Sequence, residues 1–223
     1  MGKLHWLESC TRLIESGNIN NISQIARDKT TAFHEYTVES FPLTNALNNS
    51  SNIPLTSEQI EWVNLMGDAI DELQNSTRKV LGPVYRGQYL DDAVIQQKYY
   101  QPFLSASQQG DDLLAEVIEN SFISTSKDPL VADDFIGFNL DANYNESYSA
   151  VEFIIISKTG VDIDDISYYG ANFCSGNTNC NMIQQEVLLK NGLSFNILNA
   201  SFEIIERQNL PNYKLYSIFL EEK

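Results

Sequence analysis

Apolar residues change their period once along this chain, near residue 80, and that change limits the fold more than any other feature. Before it they recur at helical intervals. Leu4, Leu7, Thr11 and Ile14 share one face, and Gly17-Asn18 closes that segment. A second stretch, from Ile22 through Ala26 to Phe33 and Tyr36, continues the pattern. Residues 44–54 read as a polar loop. Thr56 and Gln59 have the spacing of a capping box, in which a hydroxyl and an amide satisfy each other's free backbone donors. Ile60, Val63, Met66, Ile70 and Leu73 predict the buried stripe of the helix that follows. From Val84 the apolar residues come in short or alternating runs instead. Val84–Tyr85, Glu116–Ile123, Val151–Ile156, Val187–Leu189, Ser194–Leu198, Phe202–Ile205 and Lys214–Leu220 read as strands. One helix interrupts them, with Asp128 as cap, Pro129 in its first turn, and Val131, Ala132 and Phe135 following. Residues 139–149 and 167–183 read as polar loops, and no internal repeat is visible. Helices first and a mostly antiparallel sheet after predict an α+β fold. At 223 residues and 43% hydrophobic, the chain can bury one sizeable core, so 1–223 is expected to be a single domain, with 1–80 helical and 81–223 rich in strands.

Charge narrows the partners. Fourteen Lys and Arg against thirty Asp and Glu leave a net charge of −16, with no basic run. Nucleic-acid binding draws much of its affinity from basic faces that release counterions, so nucleic acid is not the expected partner. A basic protein surface is, and solubility alone is the other reading. No apolar stretch approaches the ~20 residues of a membrane helix. The greasiest stretch, Val151 to Ile156, contains Glu152 and is strand-sized. Glu8 and Arg12 deny the N-terminus the apolar core of a signal peptide. The chain is therefore expected to be cytosolic, to leave by a route without a cleavable signal, or to have lost a leader. Cys10, Cys174 and Cys180 lack tight Cys-x-x-Cys spacing, so no metal is expected. Cys174 and Cys180 flank Ser-Gly-Asn-Thr-Asn, and either close a small disulfide loop or stay free thiols. His5 and His34 have no Cys or His at ligand spacing and read as surface or helix residues.

Three short pieces carry candidate chemistry. Val84-Tyr85-Arg86-Gly87 ends an apolar run with an arginine, whose fixed donor fork suits a pyrophosphate. Gly87 leaves room for close backbone approach. Phe122-Ile123-Ser124-Thr125-Ser126 sets hydroxyls at the end of a second run, where turn and cap chemistry is the plainer alternative. Gln184-Gln185-Glu186-Val187-Leu188-Leu189 sets a carboxylate beside a third. A rigidly held carboxylate stabilises an oxocarbenium-like sugar, and nearby hydroxyls keep it oriented. Singly, Arg86 also reads as a salt-bridge partner and Glu186 as a strand-edge glutamate.

The order of these pieces, and their spacing of 38 and 62 residues, resemble the Arg-Ser-Glu class of mono-ADP-ribosyltransferases. The resemblance covers roughly residues 84–220, and the helical first part is similar to the helical lobe of many members. It implies a split β-sandwich core that binds NAD as co-substrate. It implies glycosyl transfer of ADP-ribose to a host protein by a secreted toxin or effector, a monomer that needs no metal. Arg86 would hold the NAD phosphate or adenosine ribose. Gly87 would bond the nicotinamide amide through its backbone. Ser124 would position Glu186 and the ribose, Thr125 and Ser126 would support the site, and Glu186 would stabilise the cation. Phe135 and Phe138 would border the cofactor. Loop 139–149 would lie over it, and loop 167–183 would face the acceptor. Gln184 makes the motif Gln-x-Glu, where arginine-modifying members carry Glu-x-Glu. A neutral amide cannot take a proton from a guanidinium, so the resemblance implies a Thr, Asn or Gln acceptor or a guanine base, and the charge of −16 speaks against guanine. Strand alternation would put Gln184 and Glu186 on one face and Gln185 on the other. NAD hydrolysis, with water as acceptor, is the alternative, as is arginine-specific transfer; a binding module without turnover is a third.

Overall fold

The computed structural model describes residues 27–109, 115–170 and 183–223. The expected first helix, His5 and all three cysteines lie outside the described residues. The architecture is α+β, with helices ahead of a sheet, as the change of period predicts. The chain divides into two compact units.

The first unit is drawn from Met1–Val80, Glu119–Ser124 and Thr159–Gly192. Three helices build its described part: α1 (Arg27–Val38), α2 (Phe41–Asn48) and α3 (Ser57–Gln74). The capping box at α3 forms as expected, with the Thr56 hydroxyl accepting from the Gln59 N–H and the Gln59 amide oxygen accepting from the Thr56 N–H. Met66, Ile70 and Leu73 are buried, but Ile60 is exposed, because the first turn of α3 projects beyond the core. The expected loop 44–54 is partly helical. Pro42 fits the first turn of α2, and Leu43 and Leu47 bury one face despite the polar residues between them. α1 packs on α3, and the Trp62 indole donates to the Ala32 carbonyl at 3.0 Å. Phe33, Tyr36, Met66, Ile70 and Leu73 share a core with Phe122, Val161, Ile163, Ile166 and Leu188. Strand β5 (Glu186–Leu189) pairs antiparallel with the end of β4 (Tyr148–Asp162), through Val161 with Leu188 and Asp162 with Val187.

The second unit is drawn from Leu81–Ile118, Thr125–Lys158 and Leu193–Lys223. Strand β1 (Lys79–Asp91) pairs antiparallel with β3 (Ile123–Ser126), setting Tyr85 against Ser126. β2 (Ala115–Glu119), β6 (Leu193–Ile205), β7 (Tyr213–Glu222) and β4 follow one another as hydrogen-bonded neighbours. β4 and β7 run parallel, and β6 and β7 antiparallel. The runs Ser194–Leu198 and Phe202–Ile205 are one strand with a register shift between Ile197 and Asn199. The run Glu116–Ile123 is the reverse case, broken after Glu119 into β2 and β3.

A helical segment absent from the sequence reading follows β1. It comprises α4 (Asp92–Ile95), a π-helical turn (Gln96–Tyr100) and α5 (Gln101–Gln109), started by the Asp91 side chain accepting from the Ala93 N–H. Buried Ile95 and Tyr99, four residues apart, anchor it. The predicted helix after Asp128 is α6 (Pro129–Asn143). It runs further than expected, so loop 139–149 shrinks to residues 144–147. Ala132, Ile136 and Leu140 form a buried stripe at four-residue spacing that outweighs the Asn and Asp residues on the open side. Ile136, Leu140 and Ala150 pack with Tyr89, Tyr213 and Leu215.

Candidate active site

Glu186 opens β5 and is 3% exposed, with Val187, Leu188 and Leu189 buried behind it. A carboxylate so enclosed needs hydrogen-bond donors. Two serines supply them. Ser124 Oγ donates to Glu186 Oε1 at 2.5 Å, and Ser167 Oγ donates to Oε2 at 2.6 Å. With one hydroxyl on each oxygen, the carboxyl plane cannot turn without breaking a bond. The Glu186 main chain is fixed too, since its carbonyl accepts from the Ile163 N–H at 3.0 Å. The sequence reading paired Ser124 with Glu186, and the structure brings those two together. It did not find Ser167, which lies in the polar stretch 167–183 with no period or motif of its own.

Ser167 is presented by a folded turn over residues 163–170. The Ile166 and Ser167 N–H groups both donate to the Ile163 carbonyl, at 2.9 and 2.8 Å, and the Gly170 N–H donates to the Ser167 carbonyl at 3.0 Å. Gly170 is required there: a Cβ would sit 1.5 Å from the Asp164 carbonyl oxygen. Three anchors hold the turn. Arg78 grips the Asp165 carboxylate with both terminal nitrogens, Nη2 to Oδ2 at 2.5 Å. The Ile166 carbonyl accepts from His34 Nδ1 at 3.0 Å, and Thr37 Oγ1 accepts from the Tyr168 N–H at 2.9 Å. His34 is therefore a buried helix residue, and burial lowers its pKa against the pull of the Ile166 carbonyl and Glu35. Because a carbonyl can only accept, Nδ1 carries the imidazole proton.

Gln184 is half-buried, and its N–H donates to the Tyr169 carbonyl at 3.1 Å. The shared strand face expected for Gln184 and Glu186 does not arise. Residues 183–185 lie outside any strand, and Gln185 has φ +46°, so the alternation of side chains starts only at Glu186.

In the second unit, Arg86 lies half-buried on β1. With its amide oxygen turned toward the guanidinium, Gln88 accepts from Arg86 Nη2 at 2.6 Å and Nε at 3.2 Å. The space at Gly87 is taken by protein: a Cβ would lie 1.9 Å from the Ala132 carbonyl oxygen and 3.0 Å from Ile136 Cγ1, so α6 packs directly on this backbone. Thr125 and Ser126 are buried, and Ser126 Oγ accepts from the Asp128 N–H at 2.9 Å, tying the end of β3 to the cap of α6. Phe135 and Phe138 lie on α6 at 41% and 71% exposure. Asp92 gathers a separate polar knot. It accepts from Ser149, Lys214 and Tyr216 on one oxygen and from Gln96 on the other. Burial pushes its carboxyl up, but these donors together outweigh it and hold the pKa at about 2. Among the described residues no group of three His, Cys, Asp or Glu side chains is placed to hold a metal.

No protein-family model matches the sequence, and a comparison with curated proteins finds no match. Solved structures do match. The chain is similar to the ADP-ribosyltransferase HopU1 of Pseudomonas syringae pathovar tomato, with a TM-score of 0.60 at 16% identity over 98% of this chain and 86% of that one. It is similar to Exoenzyme S from Pseudomonas aeruginosa, solved with human 14-3-3 protein beta and carba-NAD, with a TM-score of 0.58 at 15% identity over 97% and 86%. It is also similar to the Vis toxin, an ADP-ribosyltransferase from Vibrio splendidus, with a TM-score of 0.54 at 18% identity over 97% and 85%. A serine-pinned, buried glutamate at the head of β5 thus stands in the fold of the bacterial ADP-ribosyltransferase toxins and effectors.

Proposed function

We propose that this protein transfers ADP-ribose from NAD to a Thr, Asn or Gln side chain of a host protein, as a bacterial effector or toxin delivered into host cells. The observation that carries the reading is the Glu186 carboxylate held by Ser124 and Ser167 in this fold. In the reaction the bond between ribose C1′ and the nicotinamide nitrogen breaks, and its electron pair leaves with neutral nicotinamide. Glu186 stabilises the oxocarbenium-like ribose, and Ser124 orients both partners. Arg86 holds the pyrophosphate or adenosine ribose, with Gly87 bonding the nicotinamide amide and Phe135 and Phe138 bordering the cofactor. The acceptor oxygen or nitrogen then bonds to C1′ and releases its proton to solvent.

Acceptor choice rests on Gln184. Its amide donates and accepts hydrogen bonds but cannot deprotonate a guanidinium. Its backbone is tied to Tyr169, two residues along from Ser167. Incubation with labelled NAD and host-cell lysate, followed by mass spectrometry of the labelled protein, tests the reading. Modification on Thr, Asn or Gln is the expected result. Gln184→Ala should abolish transfer while sparing much of the NAD hydrolysis, and labelling on arginine would overturn the acceptor assignment.

A further inference from the structure

We infer that Ser167 is a positioning residue for Glu186, a fixed inner brace that complements a more open contact from Ser124. The inference rests on the proposed NAD chemistry at Glu186 and adds a residue to it. Ser167 is fully buried. Its one hydroxyl proton points at Glu186 Oε2, while its oxygen accepts from the Tyr169 N–H at 3.2 Å. The chain Tyr169 N–H to Ser167 O–H to carboxylate is a directed relay in which each bond polarises the next. Ser124, on the other carboxylate oxygen, is half-buried.

The two serines therefore differ in setting. Ser124 is partly exposed, and in the proposed chemistry it is the serine that also contacts the ribose. Ser167 has no such exposure. The turn that presents it is held by Arg78 through Asp165, by His34 through the Ile166 carbonyl and by Thr37 through the Tyr168 N–H. Those anchors leave the Ser167 hydroxyl pinned to a rigid frame, and through it Oε2. A carboxylate so fixed at one oxygen meets a developing cation without first reorienting.

The test compares wild type, Ser167→Ala, Ser124→Ala, Glu186→Gln and Glu186→Gln/Ser167→Ala in the full chain. NAD cleavage kinetics and NAD affinity by calorimetry are the readouts, and thermal melting confirms folding. Ser167→Ala is expected to lower kcat about 10- to 100-fold with NAD affinity within about twofold of wild type, because it frees a charged acceptor without touching the ligand. In the Glu186→Gln background the same change should alter the residual rate less than about threefold, since a brace has nothing to brace once the charge is gone. A wild-type kcat in Ser167→Ala, or an undiminished loss in the Glu186→Gln background, would overturn the inference. Should Ser167→Ala fail to fold, Ser167→Cys keeps the size and a weak donor; it is expected to fall below wild type in kcat alone, and a wild-type kcat there would equally overturn it. If wild type cleaves no NAD and Glu186→Gln changes nothing, the proposed function has failed. A thermal-stability cycle between Ser167→Ala and Glu186→Gln still reads the contact in that case, and additive effects would overturn the brace.

Discussion

A buried carboxylate is only as useful as the groups that keep it charged and still. At Glu186 both oxygens are used, by hydroxyls separated from it by 62 and 19 residues. Replacing Glu186 by Gln keeps the shape and removes the charge. NAD cleavage should fall about 10²- to 10³-fold while NAD binding and folding persist, as steady-state kinetics and calorimetry would show. Cleavage within tenfold of wild type would mean that Glu186 is structural. Ser124 and Glu186 were legible in the sequence because each borders an apolar run and because their order and spacing resemble the Arg-Ser-Glu class; both stand at the start of a strand. Ser167 was not, because its position depends on how residues 163–170 fold back, and no local periodicity encodes that. Gln184 shows the opposite error. Its strand phase was assumed from its neighbours, whereas the backbone turns at Gln185 before β5 begins.

Among the elements, contact between β1 and α6 makes a sharp demand on one residue. Any side chain at Gly87 meets the Ala132 carbonyl, which is rigid helix backbone and cannot give as a flexible side chain does. Gly87→Ala should therefore cost about 1–3 kcal/mol, seen as a lower melting temperature and an earlier denaturant midpoint. Unchanged stability would mean that α6 shifts freely along β1. The elements that the sequence disclosed were those with strong local signals: the Thr56–Gln59 box, the Asp128-Pro129 start and the apolar strands. Those it concealed were polar-rich helices. α2 and the end of α6 fall in the Asn- and Asp-rich stretches 44–54 and 139–149 that read as loops, and the segment Asp92–Gln109 drew no reading at all. Only one narrow stripe in each, such as Ile95 and Tyr99, reports the burial that tertiary packing supplies.

For the whole molecule, pH acts through two groups that both titrate below neutrality. His34 is buried with its pKa lowered below 6.5, so the folded state binds its proton less readily than the unfolded one. Its contribution is fully present above 6.5 and is lost as pH falls from there through its lowered folded value, with a slope of up to about 1.4 kcal/mol per pH unit. Asp92 behaves likewise at lower pH: its contribution stands above 3.8 and drains away as pH falls toward about 2. The melting temperature should thus fall from pH 7.5 to 5.5 more steeply for wild type than for His34→Asn, which keeps a donor near Nδ1 without the titration. Equal slopes would remove His34 from the account. The order of strands in the second unit carries a different consequence, for the time at which this protein becomes a protein. β7 sits hydrogen-bonded between β4 and β6 and buries Tyr216, Ile218 and Leu220, yet it is synthesised after every other described strand. A nascent chain that has reached residue 205 holds β4 and β6 with no strand to join them. The first unit's helices can assemble from local contacts as they emerge, whereas this sheet waits for distant partners, and its folding is correspondingly slow and late.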